Sequence, residues 1–179
     1  SGSQFFSLDN EQSETIRIMG TMQNPHSAVM GYQSWNNKIK MNKPNTSEGK
    51  IACTEFAEIK KVENKHGNKI EIKDVKFFWL FQIYNLTQKR AQVWEVTQMY
   101  LRDELERYEK NPKYGDLTQY DFTITRKGLD KETKYKLMAD PEKSAPSEEM
   151  LNAIKEARID CSAVFRIDPT TNKHLYPMG

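Results

Sequence analysis

The residues of this chain whose types and spacing suit a chemical task are rings and cations. Phe77-Phe78-Trp79-Leu80-Phe81-Gln82-Ile83-Tyr84 is the densest aromatic stretch in a chain that is only 37% hydrophobic. Tyr32, Trp35 and Trp94 add further large rings, and Lys38, Lys40, Lys43, Lys73, Lys76, Lys89 and Arg90 lie close to them in sequence. An exposed ring stacks on an unpaired base and contributes roughly 1–3 kcal/mol per base without reading its identity. Cations at intervals neutralise the phosphates between such bases. With about five phosphates neutralised, the logarithm of affinity falls against the logarithm of salt concentration with a slope near −3.5.

Other chemistry has little to stand on. His26, His66 and His174 occupy separate turn-like contexts without carboxylate or cysteine at ligand spacing, so no metal site is expected. Cys53 and Cys161 form no CxxC pair and read as small buried hydrophobes. Asp116 follows a glycine in a turn and Asp121 alternates on a strand, which makes solvated surface the expected role for both rather than acid–base work. No nucleophile triad and no phosphate loop is present, so the expectation is a protein without catalysis or cofactor.

The elements that must position these rings follow from length and charge. The 179 residues suffice for one domain with a core. No apolar run approaches the roughly 18 residues of a membrane span, and none has the layout of a signal peptide. The expectation is a soluble protein of the cytoplasm, with no membrane partner. Ser1-Gly2-Ser3 reads as an expression scar at the head of a loose segment, 1–14. The net charge of +2 is uneven: residues 36–90 carry 12 basic against 6 acidic groups, while the segments on either side each net −2. Positive charge thus gathers around the aromatic stretch, and a polyanion is the partner it suits.

Alternation of Ile16 and Ile18 predicts a first strand, and Ala28–Trp35 a second. Residues 36–50 read as a basic loop. Ile51–Val62 mixes the two periods, and the β-branched residues favour strand. Ile70 and Ile72 lead into the aromatic strand, which is apolar on both parities. It is therefore covered on both faces or turns one ringed face to a ligand. A polar hairpin loop, Asn85–Arg90, joins it to a strand over Ala91–Thr97. Thr97 is expected to cap a helix running to Lys110, stopped by Asn111-Pro112. Strands over Tyr120–Arg126 and Thr133–Met138 follow, and Ser147 opens a last helix with a stripe of Met150, Leu151, Ile154 and Ala157. Residues 166–179 read as a loose tail. The fold class is α+β, mainly β with two helices. The order hairpin, helix, hairpin fits an OB-like five-stranded barrel over 15–165 with additional N-terminal strands and a C-terminal helix.

Ile16-Arg17-Ile18, Gly31-Tyr32 with Trp35, Lys76-Phe77-Phe78-Trp79, Trp94-Glu95-Val96-Thr97-Gln98, Asn111-Pro112-Lys113-Tyr114-Gly115-Asp116 and Tyr120-Asp121-Phe122-Thr123-Ile124-Thr125-Arg126 resemble, in that order, phage-type single-stranded DNA-binding proteins. The resemblance implies an OB-like core that holds a single strand in a basic, aromatic-lined groove, in phage or phage-derived replication, recombination or repair. Replication or recombination proteins would then be further partners, and the host cytoplasm the setting. It bears chiefly on Tyr32, Trp35, Phe77–Trp79 and Trp94. One departure is the end, Asn172-Lys173-His174-Leu175-Tyr176-Pro177-Met178-Gly179, where many single-strand binders carry an acidic tail.

Two readings of the same residues stay open. Tyr32, Trp35, Trp79, Phe81, Tyr84 and Trp94 are either a stacking platform or core, and Lys38, Lys40, Lys43, Lys76, Lys89 and Arg90 are either phosphate contacts or solvated surface. The rival function is a protein-interaction module that docks on a replication or transcription enzyme. Steep salt dependence separates a nucleic-acid groove from such a surface.

Overall fold

The computed structural model describes residues 4–36, 49–61, 72, 74–171 and 173–178. Seven strands, β1 (Ser13–Ile18), β2 (Ala28–Asn36), β3 (Gly49–Cys53), β4 (Lys76–Asn85), β5 (Arg90–Val96), β6 (Asp121–Lys127) and β7 (Lys134–Ala139), form one antiparallel sheet. Among the described residues three α-helices, α1 (Phe56–Lys60), α2 (Met99–Lys110) and α3 (Glu148–Ala157), pack around it. The class is α+β and mainly β, with one short helix more than expected.

The aromatic strand β4 is the hub. One edge pairs with β2 from Ala28↔Phe81 to Gln33↔Lys76, then passes to β1 from Ile18↔Ile83 to Ile16↔Asn85. Gln82 bridges the handover: its N–H donates to Ser27 O at 2.9 Å and its side-chain amide to Met19 O at 2.7 Å. The other edge pairs with β5 along its length, Trp79↔Val96 to Asn85↔Arg90. Because successive side chains alternate faces, apolar residues of both parities feed two cores. Phe81 and Ile83 join Ile16, Ile18, Trp94, Phe122 and the α2 residues Leu101 and Leu105. Phe78 and Leu80 join Val29, Val93, Cys161 and Val164 beneath α3 and the turn Cys161–Phe165. Each large side chain buried this way contributes about 1.5–3 kcal/mol, so coverage of both faces is what such a sequence stabilises.

The hydrogen-bonded path runs β3-β2-β4-β1-β6-β7 with β5 on β4, and no described pairing joins β5 to β7. The strands therefore leave the expected barrel open rather than closed. Two of the free edges, β7 and β5, are covered by other means. Tyr100 and Tyr108 of α2 accept from the backbone N–H groups of Tyr135 (2.8 Å) and Ala139 (3.4 Å) on β7. At β5, Phe6 N donates to Val93 O (2.7 Å) and Val93 N to Gln4 O (3.0 Å). Such capping removes the unpaired donors that make an edge a template for aggregation.

Four further expectations need correction. Of the stretch expected as strand over 51–62, the described part, 51–61, is strand only to Cys53; Phe56 and Ile59, three apart, then take a helical turn that buries Ile59 completely beside Ile51 and Ile72. The N-terminal segment is not loose over its described part, because Phe6 and Leu8 are buried in the core. The C-terminal tail folds back as a small hairpin, with Leu175 N on Arg166 O (3.0 Å), Asp168 N on Lys173 O (2.8 Å) and Asp160 N on Pro177 O (2.7 Å). Ser147 caps α3 as expected, its Oγ accepting from Met150 N at 3.2 Å, whereas α2 starts behind Gln98 without a side-chain cap. Gly31 lets the turn approach β2, since a Cβ there would stand 2.6 Å from Cys53 O and 2.8 Å from the Phe165 ring.

Asp160 fastens that turn. Burial alone would raise its carboxyl, but hydrogen bonds from Ser162, Arg166 and His26 outweigh it and hold the group at about 2 against an ordinary 3.8. A depressed carboxyl contributes stability above its unfolded pKa and loses it as pH falls toward the folded one. The stability advantage of the native chain over Asp160→Asn is therefore expected to be constant near neutrality and to shrink between about pH 4 and pH 2. Urea unfolding of both proteins across that range measures it, and a constant difference would refute the role.

Candidate nucleic-acid interface

The groove that gathers exposed rings and cations lies on one face of β2 and β3, against the C-terminal hairpin. Trp35 stands opposite Lys50 across the β2–β3 pair, and Gln33 opposite Lys76 across β2–β4. Trp35 sits past the region covered by α3 and the Cys161–Phe165 turn, so the residue remains 64% exposed. The Lys50 ammonium lies 5.7 Å from the Trp35 ring centroid and 5.8 Å from that of Phe78. Glu95 fixes it there at 2.8 Å, and Gln33 Nε2 donates to the other Glu95 oxygen at 3.0 Å. A cation held against a ring by a carboxylate stiffens the ring without leaving net charge at that point.

The hairpin supplies the opposite wall. Tyr176, with its ring 73% exposed, joins His174, Leu175, Pro177, Phe5 and Trp35 around a groove of about 550 Å³. A smaller recess of about 310 Å³ continues past Trp35 and Glu95 to Lys76, Asp74 and Thr97. Trp35 is the ridge between the two. His174 Nδ1 lies 2.6 Å from Val164 O. Burial lowers the His174 pKa, with Lys50 adding to the effect against that hydrogen bond, so the imidazole is neutral near pH 7 and serves as wall rather than cation.

The chain matches no protein-family model, and no match was found among curated proteins or solved structures. The site is therefore read from its own residues.

Of the rings named from sequence, only Trp35 lies open in this groove. Phe81 and Trp94, each 5% exposed, meet edge to face at 5.3 Å inside the first core, and Tyr84, 4% exposed, is sealed with its hydroxyl on Glu149. None of these three can offer a face to a base, which corrects the platform reading for them. Tyr32 and Trp79 belong to the other face of the sheet. Tyr32 is half-buried between Phe56 and Phe77, and Trp79 is packed against the first core. Among the cations, Lys76 is exposed in the recess. Lys89 and Arg90 sit at the far end of the β4–β5 ribbon, roughly 30 Å along a strand from Lys76, beside a buried network in which Gln88 donates to Glu14 (2.8 Å) and Asn85 to Gln92 (2.9 Å). Lys38, Lys40 and Lys43 lie outside the described residues.

The sequence reading missed Lys50, His174 and Tyr176. The run Leu175-Tyr176-Pro177-Met178 was the available signal, since four residues with apolar bodies in an otherwise polar tail need a surface to cover. Asp116 and Asp121 have structural duties: Asp116 accepts from Thr118 N (3.0 Å) and Asp121 pairs with buried Arg17. Burial, with Asp160 nearby, pushes the Cys161 thiol up to about 12, and burial raises Cys53, so neither is poised as a thiolate. Among the described residues no group of three or more His, Cys, Asp or Glu is placed to hold a metal ion, and no helix is long and apolar enough to cross a membrane.

Proposed function

We propose that this chain binds single-stranded DNA without sequence preference, by stacking bases on Trp35 and Tyr176 and placing a phosphate near Lys76. The observation that carries the reading is the pair of exposed rings, 64% and 73% accessible, facing one groove. Large rings in a soluble protein are normally covered. Two rings left open along one track give successive bases a place to stack. With β2, β3 and α1 taken as an insertion after β1, the remaining order β1, β4, β5, α2, β6 and β7 supports the same reading, because it fits the strand and helix order of an OB-like fold.

Salt dependence tests it. Lys50 is neutralised by Glu95, so the described groove contributes at least the Lys76 cation, a slope of about −0.7. Tryptophan fluorescence titrated with oligo-dT over a range of salt is expected to show quenching, a slope at least this steep, and much weaker binding to duplex. A slope near −3.5 would assign a further share to cations beyond the described groove. Flat titrations with every oligonucleotide would discard the reading in favour of a protein-docking surface.

A further inference from the structure

The sheet carries a second opening of opposite character. On the face away from the Trp35 groove, Met22, Met30, Trp79 and Leu105 floor a cleft of about 550 Å³, rimmed by Glu106, Glu109 and Asp116. No lysine or arginine lines it among the described residues. Glu106 and Glu109 are exposed on α2, and neither makes an ion pair among the described residues. The floor is open to an unusual degree: Met30 is 46% and Met22 36% exposed. Thioethers adapt to varied apolar shapes, which suits a surface that accepts a foreign side chain. The Trp79 indole Nε1 is buried and has no hydrogen-bond partner among the described residues, a donor that a peptide carbonyl would satisfy.

We infer that this cleft docks a basic segment of a partner protein, with one large apolar side chain on Met30 and Trp79 and flanking Lys or Arg on Glu106, Glu109 and Asp116. Charge complementarity decides the occupant. Acidic walls repel a nucleic acid and reject an acidic peptide, while an apolar floor beneath them favours a segment that combines cations with an anchor. Trp35 and Trp79 alternate to opposite faces of the sheet, so the partner and a ligand in the Trp35 groove can be held together. The inference does not depend on what that groove binds.

The test uses the intact chain, ¹⁵N-labelled, and three short peptides: lysines flanking a leucine, lysines flanking an alanine, and glutamates flanking a leucine. The lysine–leucine peptide is expected to shift the Trp79 indole N–H resonance and leave that of Trp35 in place. The other two should bind roughly tenfold more weakly or worse. The double variant Glu106→Lys, Glu109→Lys, on exposed helix positions, is expected to lose roughly tenfold in affinity for the lysine–leucine peptide. Met30→Gln gives a second, uncharged variant with the same expected direction. Equal binding of the glutamate peptide, or absence of a Trp79 shift with every peptide, would overturn the inference. So would a Trp79 shift that depends on protein concentration alone, since that would make a second copy the occupant.

Discussion

Replacing Arg17 by alanine is expected to lower the stability of the native state by about 3 kcal/mol, the lower end of the cost of removing one member of a buried ion pair, because the partner Asp121 is 26% exposed. Arg17 is 1% exposed and lies between Ile16 and Ile18 on β1, facing away from the first core. Its Nε donates to Asp121 Oδ1 at 2.8 Å, Nη1 to Ser144 O at 2.9 Å and Thr118 O at 3.2 Å, and Nη2 to Ser144 Oγ at 2.7 Å. One guanidinium thereby ties β1 to β6, to the turn before β6 and to the linker ahead of α3. Truncation strips a carboxylate, two carbonyls and a hydroxyl of their donor at once. Thr118 and Asp121 are only partly open to water and keep part of their desolvation penalty, while Ser144 is exposed. The thermal midpoint should fall by roughly 10 °C for a chain of this size. Asp121→Asn should cost less, because three acceptors on Arg17 remain and Asp121 is 26% exposed. Chemical and thermal unfolding of both variants checks the order. Equal losses, or a loss below about 1 kcal/mol for Arg17→Ala, would mean that the cluster is solvated in solution.

That cluster also shows where sequence stops being informative. Ile16-Arg17-Ile18 has the alternation of a half-buried strand, and nothing local says that the polar side is roofed by Thr118 and Ser144, over a hundred residues away. The same limit governs the aromatic strand. Its apolar character on both parities was legible, and so was the choice it posed between double coverage and an open face. The answer came from α3 and the turn Cys161–Phe165, which cover Phe78 and Leu80 from a part of the chain whose contact with β4 no local pattern encodes. The chain order of β4, β5, α2, β6 and β7, the α2 stop at Asn111 and the Ser147 cap rest on local chemistry and were readable. The one-turn helix at Phe56–Lys60 was ambiguous because a five-residue segment is too short for either period to dominate. Which rings stay wet is a property of tertiary coverage. Trp35 and Trp94 were indistinguishable by type, yet one ends beyond the covering layer and the other lies between Phe6 and Phe81.

Trp35 is where the functional proposal meets its sharpest test. Trp35→Ala is expected to weaken binding of oligo-dT by roughly 1–3 kcal/mol, about 5- to 150-fold, as for loss of one stacking ring. Tyr176→Ala should weaken it to a similar extent. Neither substitution removes a core contact, since both rings are largely exposed, so thermal stability should hold within about 0.5 kcal/mol. The salt slope separates stacking from charge. It should be unchanged in Trp35→Ala, because no counterion is released by a ring, and should become shallower by about 0.7 in Lys76→Ala. Trp94→Phe supplies the reverse pattern, a loss of stability with oligo-dT affinity retained, because Trp94 packs between Phe6 and Phe81. Trp35 also identifies itself spectroscopically: if its ring is the platform, quenching by oligo-dT vanishes in Trp35→Phe while binding followed through a labelled oligonucleotide persists. Undiminished quenching in that variant would mean that the strand lies on a different surface.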